Sequence, residues 1–201
     1  MLREFKPALA VFIVFSIATG LIYPLALTGV SRLLFPRQAE GSLLVAGGKA
    51  ENSHWGCFQG SELIGQMFTR PDYFHGRPSA VDCDAAGSGA SNMGPSSAKF
   101  LDQVRGRVEQ VRRENGLSAD SPVPADMVLA SGSGLDPDIT PKAALLQVPR
   151  IARARGLQAA DVERLVLEHT EPPQFGFWGQ PRVNVVKLNC ALDALAHGRT
   201  P

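Results

Sequence analysis

Cysteine and histidine are scarce in this 201-residue chain, and neither is spaced as a metal site requires. The three cysteines are far apart and form no Cys-x-x-Cys, which argues against a structural zinc site and a disulfide framework. The four histidines form no i, i+4 pair and no His-Glu-x-x-His. We therefore expect no metal ligands. A single disulfide among Cys57, Cys83 and Cys190 stays open for a domain outside the cytoplasm.

Charge is also sparse: Asp, Glu, Lys and Arg make up 19% of the residues, and the net charge is +1. Such a balance is not typical of a protein that binds nucleic acid. Catalytic signatures are missing as well, because the chain has no Gly-x-Ser-x-Gly elbow, no Asp-Lys-Thr-Gly-Thr and no nucleophile with a recognisable base nearby. The sequence predicts a non-catalytic protein without a nucleic-acid partner.

The longest charge-free stretch covers residues 7–31, which is twenty-five residues. As a helix it would be about 38 Å long, against about 30 Å for the hydrocarbon core of a bilayer. A cleaved signal peptide is the alternative, since small residues surround Ile17, but the apolar run continues past Ala18 and exceeds the usual signal-peptide core. We predict a short tail at 1–6, a transmembrane helix at 7–34 and a soluble domain at 35–201.

Within the predicted span, three residues are candidates for a membrane interface. Ser16 and Gly20 have the small-xxx-small spacing that lets two helices approach closely. Pro24 would release a backbone carbonyl and kink the helix, with nearby hydroxyls available to bond it. The basic residues flanking the span are nearly balanced, so charge does not decide its orientation, and a long following domain can be translocated regardless.

The soluble part mixes short strand patterns with longer helical ones, which predicts an α+β fold with a single mixed α/β domain after one transmembrane helix. The residues from 79 to 97 are rich in Gly, Ala, Ser and Asp and predict a long irregular loop. The other predicted elements are a connector at Glu40–Cys57, a strand at Ser61–Phe68, an extended piece at Tyr73–Arg77, a helix from Ser96 or Ser97 to Gly116, a helix at Ala125–Leu129, a helix from Thr140 to Gly156 kinked or broken at Pro149, a helix at Ala159–Glu168, an aromatic loop at Phe175–Gly179, a strand at Val183–Leu188 and a short helix at Ala191–Ala196.

The chemically richest stretch lies between residues 131 and 141. Its glycines and serines allow backbone N–H groups to converge on an anion at the start of the next helix. Against this, no Gly-Lys-Ser or Gly-Lys-Thr follows, and the nearby carboxylates would repel phosphate. The alternative is a tight turn whose Asp side chains satisfy local backbone groups. The candidate nucleotide or partner loop comprises Ser131, Gly132, Ser133, Gly134 and Asp136.

Six blocks of residues, in order over nearly the whole chain, resemble one family. The chain is similar to the KdpC family, the C subunit of the bacterial Kdp potassium-transporting P-type ATPase. The matching blocks are Thr19-Gly20-Leu21-Ile22-Tyr23-Pro24, Gly60-Ser61-Glu62-Leu63-Ile64-Gly65-Gln66 with Tyr73-Phe74-His75-Gly76-Arg77-Pro78-Ser79, Ala90-Ser91-Asn92-Met93-Gly94-Pro95-Ser96, Val123-Pro124-Ala125-Asp126, Ser131-Gly132-Ser133-Gly134-Leu135-Asp136-Pro137 and Val183-Asn184-Val185-Val186-Lys187-Leu188-Asn189.

The resemblance implies a single-pass subunit of the bacterial inner membrane with a soluble domain outside the cytoplasm. Its partners would be a channel-like potassium-binding subunit, the ATP-hydrolysing subunit and a small single-span subunit. It would serve assembly and act as a catalytic chaperone that raises the ATP affinity of the hydrolysing subunit, with no cofactor of its own and ATP at most shared. A rival function from another class is a membrane-anchored, extracytoplasmic solute-binding domain that acts alone.

Overall fold

The computed structural model describes residues 2–44 and 60–196, which fall into two compact units, one up to Leu43 and one from Leu44 onward. Most of the predicted connector at Glu40–Cys57 lies outside the described residues. The α+β fold class is confirmed, because an apolar N-terminal helix precedes a domain of helices and short antiparallel strands.

The first unit is one long apolar helix with a local change of winding. Helix α1 covers Leu2–Ile17, a π turn covers Ala18–Ile22 and helix α2 covers Tyr23–Leu34, after which the short helix α3 covers Pro36–Ala39. From Glu4 to Leu34 it is long and apolar enough to cross a membrane.

The π turn has a local cause in the proline that follows it. Pro24 has no N–H, and its ring would clash with the carbonyl of Gly20 four residues earlier in an α-helix. Instead, the N–H of Tyr23 donates to the carbonyl of Ala18, five residues back, which widens the helix just before the proline. The hydroxyls of Thr19 and Thr28 donate to carbonyls one turn earlier, at 2.7 Å each.

Among its described residues, the second unit contains four helices and a small antiparallel sheet. Two-residue strand β1 covers Leu43–Leu44, at the boundary between the two units, and two-residue strand β2 covers Gly60–Ser61. The sheet of the domain has the order β3-β5-β4, with Val183 paired to both Ile139 and Thr170. The remaining elements are helix α4 (Ala98–Asn115), a single 3₁₀ turn (Ala125–Met127), strand β3 (Asp138–Ile139), helix α5 (Pro141–Arg155), helix α6 (Ala159–Glu168), strand β4 (Thr170–Glu171), strand β5 (Arg182–Asn184) and helix α7 (Val185–Ala196).

The hydrophobic core lies where α5, α6 and α7 meet the central strand β5. Apolar residues recur at helical spacing on α5 and α6, so each helix buries one face against the other. Fully buried members of this core include Ala143, Ala144, Ile151, Val162, Val166, Val183, Leu188 and Leu192.

Helices α4 and α6 confirm the predictions made from helical periodicity. Helix α4 ends at Gly116, which has the left-handed conformation (φ +66°) of a glycine C-cap. Along α4, Val111 is buried and Val104 and Val108 pack against the core, whereas Leu101 is exposed. The predicted loop at 79–97 is also confirmed, since none of its residues belongs to a helix or strand.

Two strand predictions were mostly wrong. The strand expected at Val183–Leu188 ends at Asn184, and α7 begins at Val185, so the short helix expected at Ala191–Ala196 is the second half of a longer one. Only Ser61 of the expected strand Ser61–Phe68 is extended in a ladder, because its hydroxyl accepts the N–H of Leu63 in a turn.

Two helix predictions also need correction. Helix α5 runs without a break from Pro141 to Arg155, although Pro149 lies inside it. The helix expected at Ala125–Leu129 is a single 3₁₀ turn that ends at Met127.

The residues that precede helices α4 and α5, Ser97 and Thr140, differ in their hydrogen bonding, which gives a test. The Thr140 hydroxyl accepts the N–H of Ala143 at 3.2 Å at the start of α5, whereas Ser97 caps α4 with no side-chain hydrogen bond. We expect Thr140→Ala to lower the free energy of unfolding by about 1 kcal/mol, because an N–H in the first turn loses its acceptor. Ser97→Ala is the matched control and should change stability by only a few tenths of that. Chemical denaturation of the full chain in detergent measures both, and equal losses would contradict the prediction.

Candidate functional site

The candidate loop at Ser131–Asp136 turns its backbone donors towards its own side chains. The hydroxyl of Ser131 accepts the N–H of Gly134 at 3.0 Å, and the hydroxyl of Ser133 accepts the N–H of Leu135 at 3.1 Å. The Asp136 carboxylate accepts the N–H of Asp138 at 3.0 Å. An anion bound by these N–H groups would therefore have to displace acceptors already in place.

The carbonyl groups of the same loop hold distant parts of the domain. The carbonyl of Ser133 accepts the N–H of Gly89 at 2.9 Å and the hydroxyl of Ser88 at 3.0 Å. The carbonyl of Gly134 accepts the hydroxyl of Ser79 at 2.7 Å, and that of Leu135 accepts the N–H of Gly65 at 2.7 Å. The loop is thus a junction that fixes the start and the middle of the irregular segment 79–97 to the rest of the domain.

The two glycines of the loop have different surroundings. Gly134 has φ +71°, and a Cβ at this position would lie 2.5 Å from Cγ2 of Val81 and 2.7 Å from the carbonyl oxygen of Gly89. Gly132 has open space around it and a φ outside the left-handed region. Only Gly134 is therefore required by the backbone geometry.

The carboxylates near this loop are paired with arginines, so they do not present an open negative surface. Asp136 accepts a hydrogen bond from Arg77 at 2.8 Å, and Arg77 also donates to the carbonyl of Ala130. Asp138 lies 3.2 Å from Arg182, while burial raises the pKa of its carboxyl. The repulsion of phosphate expected from the sequence is thus partly neutralised by Arg77 and Arg182.

A cleft of about 300 Å³ opens beside Arg77. His75 and Glu114 face each other in its lining, with 3.6 Å between Nδ1 and the carboxylate, and Nε2 of His75 donates to the carbonyl of Arg70 at 3.0 Å. Arg107, also in the lining, donates to the carbonyl of Val128. The cleft combines two arginines, a histidine and a carboxylate with apolar walls, a composition that suits a small polar ligand.

His75 gives the domain a pH dependence whose sign follows from its surroundings. Burial and the positive charge of Arg150 lower the pKa of His75, with Glu114 opposing them. The folded state then binds fewer protons than the unfolded chain, whose histidine has a pKa of about 6.5. The stability linked to His75 is complete above that pH and is lost as the pH falls through it.

We expect His75→Gln to flatten this dependence, since glutamine carries no titrating group and can still donate to the Arg70 carbonyl. The midpoint of thermal unfolding of the full chain, measured at steps from pH 7.5 to pH 5.5, should fall more steeply for the unmodified protein than for the variant. Parallel curves would contradict the assignment.

Sequence reasoning missed a set of buried polar side chains that hold the segment Tyr73–His75. The side-chain amide of Asn189 accepts the N–H of Phe74 at 2.9 Å and donates to its carbonyl at 3.0 Å. Gln147 does the same for His75, at 2.8 Å and 3.1 Å. These two amides replace the neighbouring strand that the predicted extended piece would need. The only sequence signal was a polar residue on the apolar face of each helix.

The membrane-interface candidates lie on the apolar helix around the π turn. Ser16 is in α1, Gly20 is inside the π turn and Pro24 is in α2. A Cβ at Gly20 would meet no atom within 4 Å, so the backbone there is open to close approach. In a π turn the hydrogen bonds join residues five apart instead of four. The side chains at positions 16 and 20 are therefore aligned less closely on one helix face than they would be in a regular α-helix.

The described residues hold no cluster of three or more His, Cys, Asp or Glu side chains arranged for a metal ion. Cys83 carries a free thiol whose pKa is raised by burial, which makes it a poor nucleophile. Cys190 lies on α7, and Cys57 falls outside the described part of the chain, so the disulfide question from the sequence stays a prediction.

In the residues that the structure describes, one apolar helix long enough to cross a membrane precedes an α+β domain, which is the arrangement of single-pass membrane proteins. The family model described as "K+-transporting ATPase, c chain" matches residues 5–194. The chain belongs to the KdpC family, as its near full-length similarity to potassium-transporting ATPase KdpC subunits shows.

Three such relatives show the extent of the similarity. The KdpC subunit of Cereibacter sphaeroides is 50% identical over 194 residues, covering 96% of this chain and 98% of the relative. That of Gemmatimonas aurantiaca is 48% identical over 199 residues, with 98% and 95% covered. That of Methylococcus capsulatus is 50% identical over 198 residues, with 97% and 100% covered.

Proposed function

We propose that this protein is the non-catalytic C subunit of a high-affinity, ATP-driven potassium uptake complex, required for assembly and for tight ATP binding by the ATP-hydrolysing subunit. The observation that carries the proposal is the match to KdpC subunits over nearly the whole length of both chains. Its partners in this proposal are the channel-like potassium-binding subunit, the ATP-hydrolysing subunit and a small single-span subunit. The chain itself contributes no cofactor.

We further propose that the effect on ATP affinity is indirect. The N–H groups of Gly134, Leu135 and Asp138 already donate to Ser131, Ser133 and Asp136, which leaves these donors occupied. A domain outside the cytoplasm would also be separated from ATP by about 30 Å of hydrocarbon. Coupling through an assembled complex changes the binding free energy at a remote site by about 1–3 kcal/mol, which is enough for a catalytic chaperone.

In this proposal the membrane helix covers residues 7–34 and crosses the bacterial inner membrane once, after a tail at 1–6. The domain at 35–201 lies outside the cytoplasm, and its loop of Ser131, Gly132, Ser133, Gly134 and Asp136 contacts the channel-like subunit. The helix would bind its membrane neighbours through Ser16, Gly20 and Pro24, where the backbone is open.

The test of function is a deletion of this subunit in a host that depends on the transporter for potassium. We expect loss of growth at low potassium and restoration by a tagged copy that co-purifies with the two larger subunits. In the reconstituted complex, removing this subunit should raise the ATP concentration needed for half-maximal hydrolysis by about tenfold, in the lower part of the usual coupling range. Unchanged ATP dependence in a complex that lacks this subunit would contradict the chaperone role.

Orientation has a separate test. A reporter that is active only outside the cytoplasm, fused after Pro201, should be active, and a matched cytoplasmic reporter should be silent. The reverse pattern would place the domain beside ATP and would overturn the indirect mechanism.

The solute-binding alternative has one observation in its favour, the cleft beside Arg77 and His75. It requires that the purified chain bind a small polar solute with no partner present. Calorimetry of the detergent-solubilised protein with candidate solutes, compared with Arg77→Met, tests it. Binding that is lost in the variant would support the alternative, and co-purification with the transporter subunits would support the proposed function.

A further inference from the structure

A loop between β4 and β5 carries the largest aromatic side chains that the described part of the domain leaves exposed. The aromatic loop predicted at Phe175–Gly179 is here taken as the whole connection, residues 172–181, which contains no charged side chain. The exposed fractions are 76% for Phe175, 80% for Phe177 and 68% for Trp178. Three exposed aromatic rings within four residues are a concentration of apolar surface of the kind that marks an interaction site.

The loop backbone holds these rings outward in a fixed turn. Gln174 and Trp178 exchange two backbone hydrogen bonds of 2.9 Å, and the N–H of Gly176 donates to the carbonyl of Pro173 at 2.9 Å. Phe175 and Gly176 both have positive φ angles, +56° and +82°, which close the turn. Because the turn is already ordered, binding through it costs less conformational entropy than binding through an unstructured segment.

The charges at the base of the loop decide between a lipid surface and a protein surface. Arg182 lies 2.9 Å from Glu171 and 3.2 Å from Asp138, and Lys187 lies 3.1 Å from Glu62 and 3.3 Å from Glu171. Both cations are engaged by carboxylates, and the three carboxylates outnumber the two cations. Aromatic segments that bind membranes usually combine apolar rings with free Lys or Arg side chains that attract anionic lipids. This arrangement favours an apolar protein surface.

We propose that the aromatic loop docks into an apolar recess of a partner subunit of the transporter, with Phe177 and Trp178 as anchors. The inference rests on the proposed function, because it needs the assembled complex. Aromatic rings held on a preformed turn are typical of the few residues that dominate a protein interface. No charge within residues 172–181 has to be desolvated when the rings are buried.

Photocrosslinking in the purified, detergent-solubilised complex tests the contact. p-Benzoylphenylalanine replaces Phe177 in one variant and Leu167 in a matched control, since Leu167 is an exposed apolar residue on α6. We expect a crosslink from position 177 to a transporter subunit, identified by mass spectrometry, at a yield several-fold above that from position 167. A crosslink to lipid, a crosslink to a second copy of this chain, or equal yields from both positions would overturn the proposal.

A double substitution, Phe177→Ser with Trp178→Ser, measures the contribution of the loop. We expect this subunit to dissociate from the complex about tenfold faster or more, the effect of losing interface anchors. The far-ultraviolet circular dichroism and thermal midpoint of the isolated chain should stay unchanged, because both rings are solvent-exposed. An unchanged dissociation rate with an intact fold would contradict the inference alone. Failure of the unmodified chain to join any complex would instead contradict the proposed function.

Discussion

Replacing Arg150 with methionine is expected to lower the free energy of unfolding by about 3 kcal/mol or more, one of the largest single-residue effects in the domain. The guanidinium donates to the Asn115 side chain at 3.0 Å, to the Gln147 side chain at 2.7 Å, and to the carbonyls of Pro71 and Tyr73. Methionine fills a similar volume but supplies none of these donors, so each of the four oxygens loses a hydrogen bond, and Gln147 keeps only the one from the N–H of His75. For a chain of this size the thermal midpoint should fall by about 6–12 °C.

Arg105→Met is the matched control for this prediction. Arg105 is a mostly exposed arginine on α4, paired with Asp102 at 3.0 Å one turn away. Because exposed pairs of this kind contribute little, its loss should change stability by no more than about 0.5 kcal/mol. Thermal and denaturant unfolding of both full-length variants in the same detergent provide the comparison. Equal effects at the two positions would show that the buried guanidinium does not organise the domain.

The second large effect is expected for Gly134→Ala, a loss of about 2–4 kcal/mol. An alanine at position 134 would have to keep the left-handed backbone conformation of the glycine. Its methyl group would lie less than 3 Å from Val81 and from the carbonyl of Gly89. Relief requires the Gly89 carbonyl to move, and the bonds between Ser133 and residues 88–89 would be strained with it. Unfolding curves measure the loss, and faster proteolysis within 79–97 would locate it.

Gly132→Ala belongs to the same loop and serves as the control. Its Cβ would meet no atom within 4 Å, and its φ does not require glycine. The substitution should be neutral or slightly stabilising, by up to about 1 kcal/mol, since it reduces the entropy of the unfolded chain. A loss for Gly132→Ala as large as that for Gly134→Ala would contradict the assigned backbone geometry.

Helical periodicity and end signals were the parts of the fold that the sequence could specify. Helix α6 has the predicted bounds Ala159–Glu168, and α4 ends at the predicted residue, Gly116. Each of these helices packs one apolar face against the core, so the apolar periodicity of the sequence agrees with the burial of the residues. The same holds for Thr140 at the start of α5, where the cap lies within three residues of the N–H it accepts.

The strand predicted at Val183–Leu188 shows where local patterns stop being sufficient. A run of β-branched residues favours a strand, but Val185, Val186 and Leu188 are almost fully buried and are surrounded by core on more than one side. A short apolar run that is buried all round has no period that separates a strand from a helix. Packing in the core decides the outcome here, and the chain turns into α7 after Asn184.

The candidate site was only partly accessible to sequence reasoning, for a related physical reason. The hydroxyls of Ser131 and Ser133 bond within a few residues, so a turn stabilised by its own side chains could be foreseen. The bonds from this loop to Gly65, Ser79 and Gly89 cross 44 or more residues, and no local pattern contains them. The cleft beside Arg77 likewise exists only because distant segments meet there.

The amide of Asn189 has a consequence for the order in which the domain is made. It bonds to Phe74, 115 residues earlier in the chain. The backbone N–H and carbonyl of the buried Phe74 therefore gain these hydrogen bonds only after the ribosome has synthesised α7. Contacts between residues so far apart in the chain form late and slowly. For a domain proposed to work outside the cytoplasm, this delay is useful, because the polypeptide stays in the unfolded form that an export channel can thread. A truncated product that lacks Asn189 would leave the backbone N–H and carbonyl of Phe74 without these hydrogen bonds, and the segment around Phe74 would be more accessible to quality-control proteases.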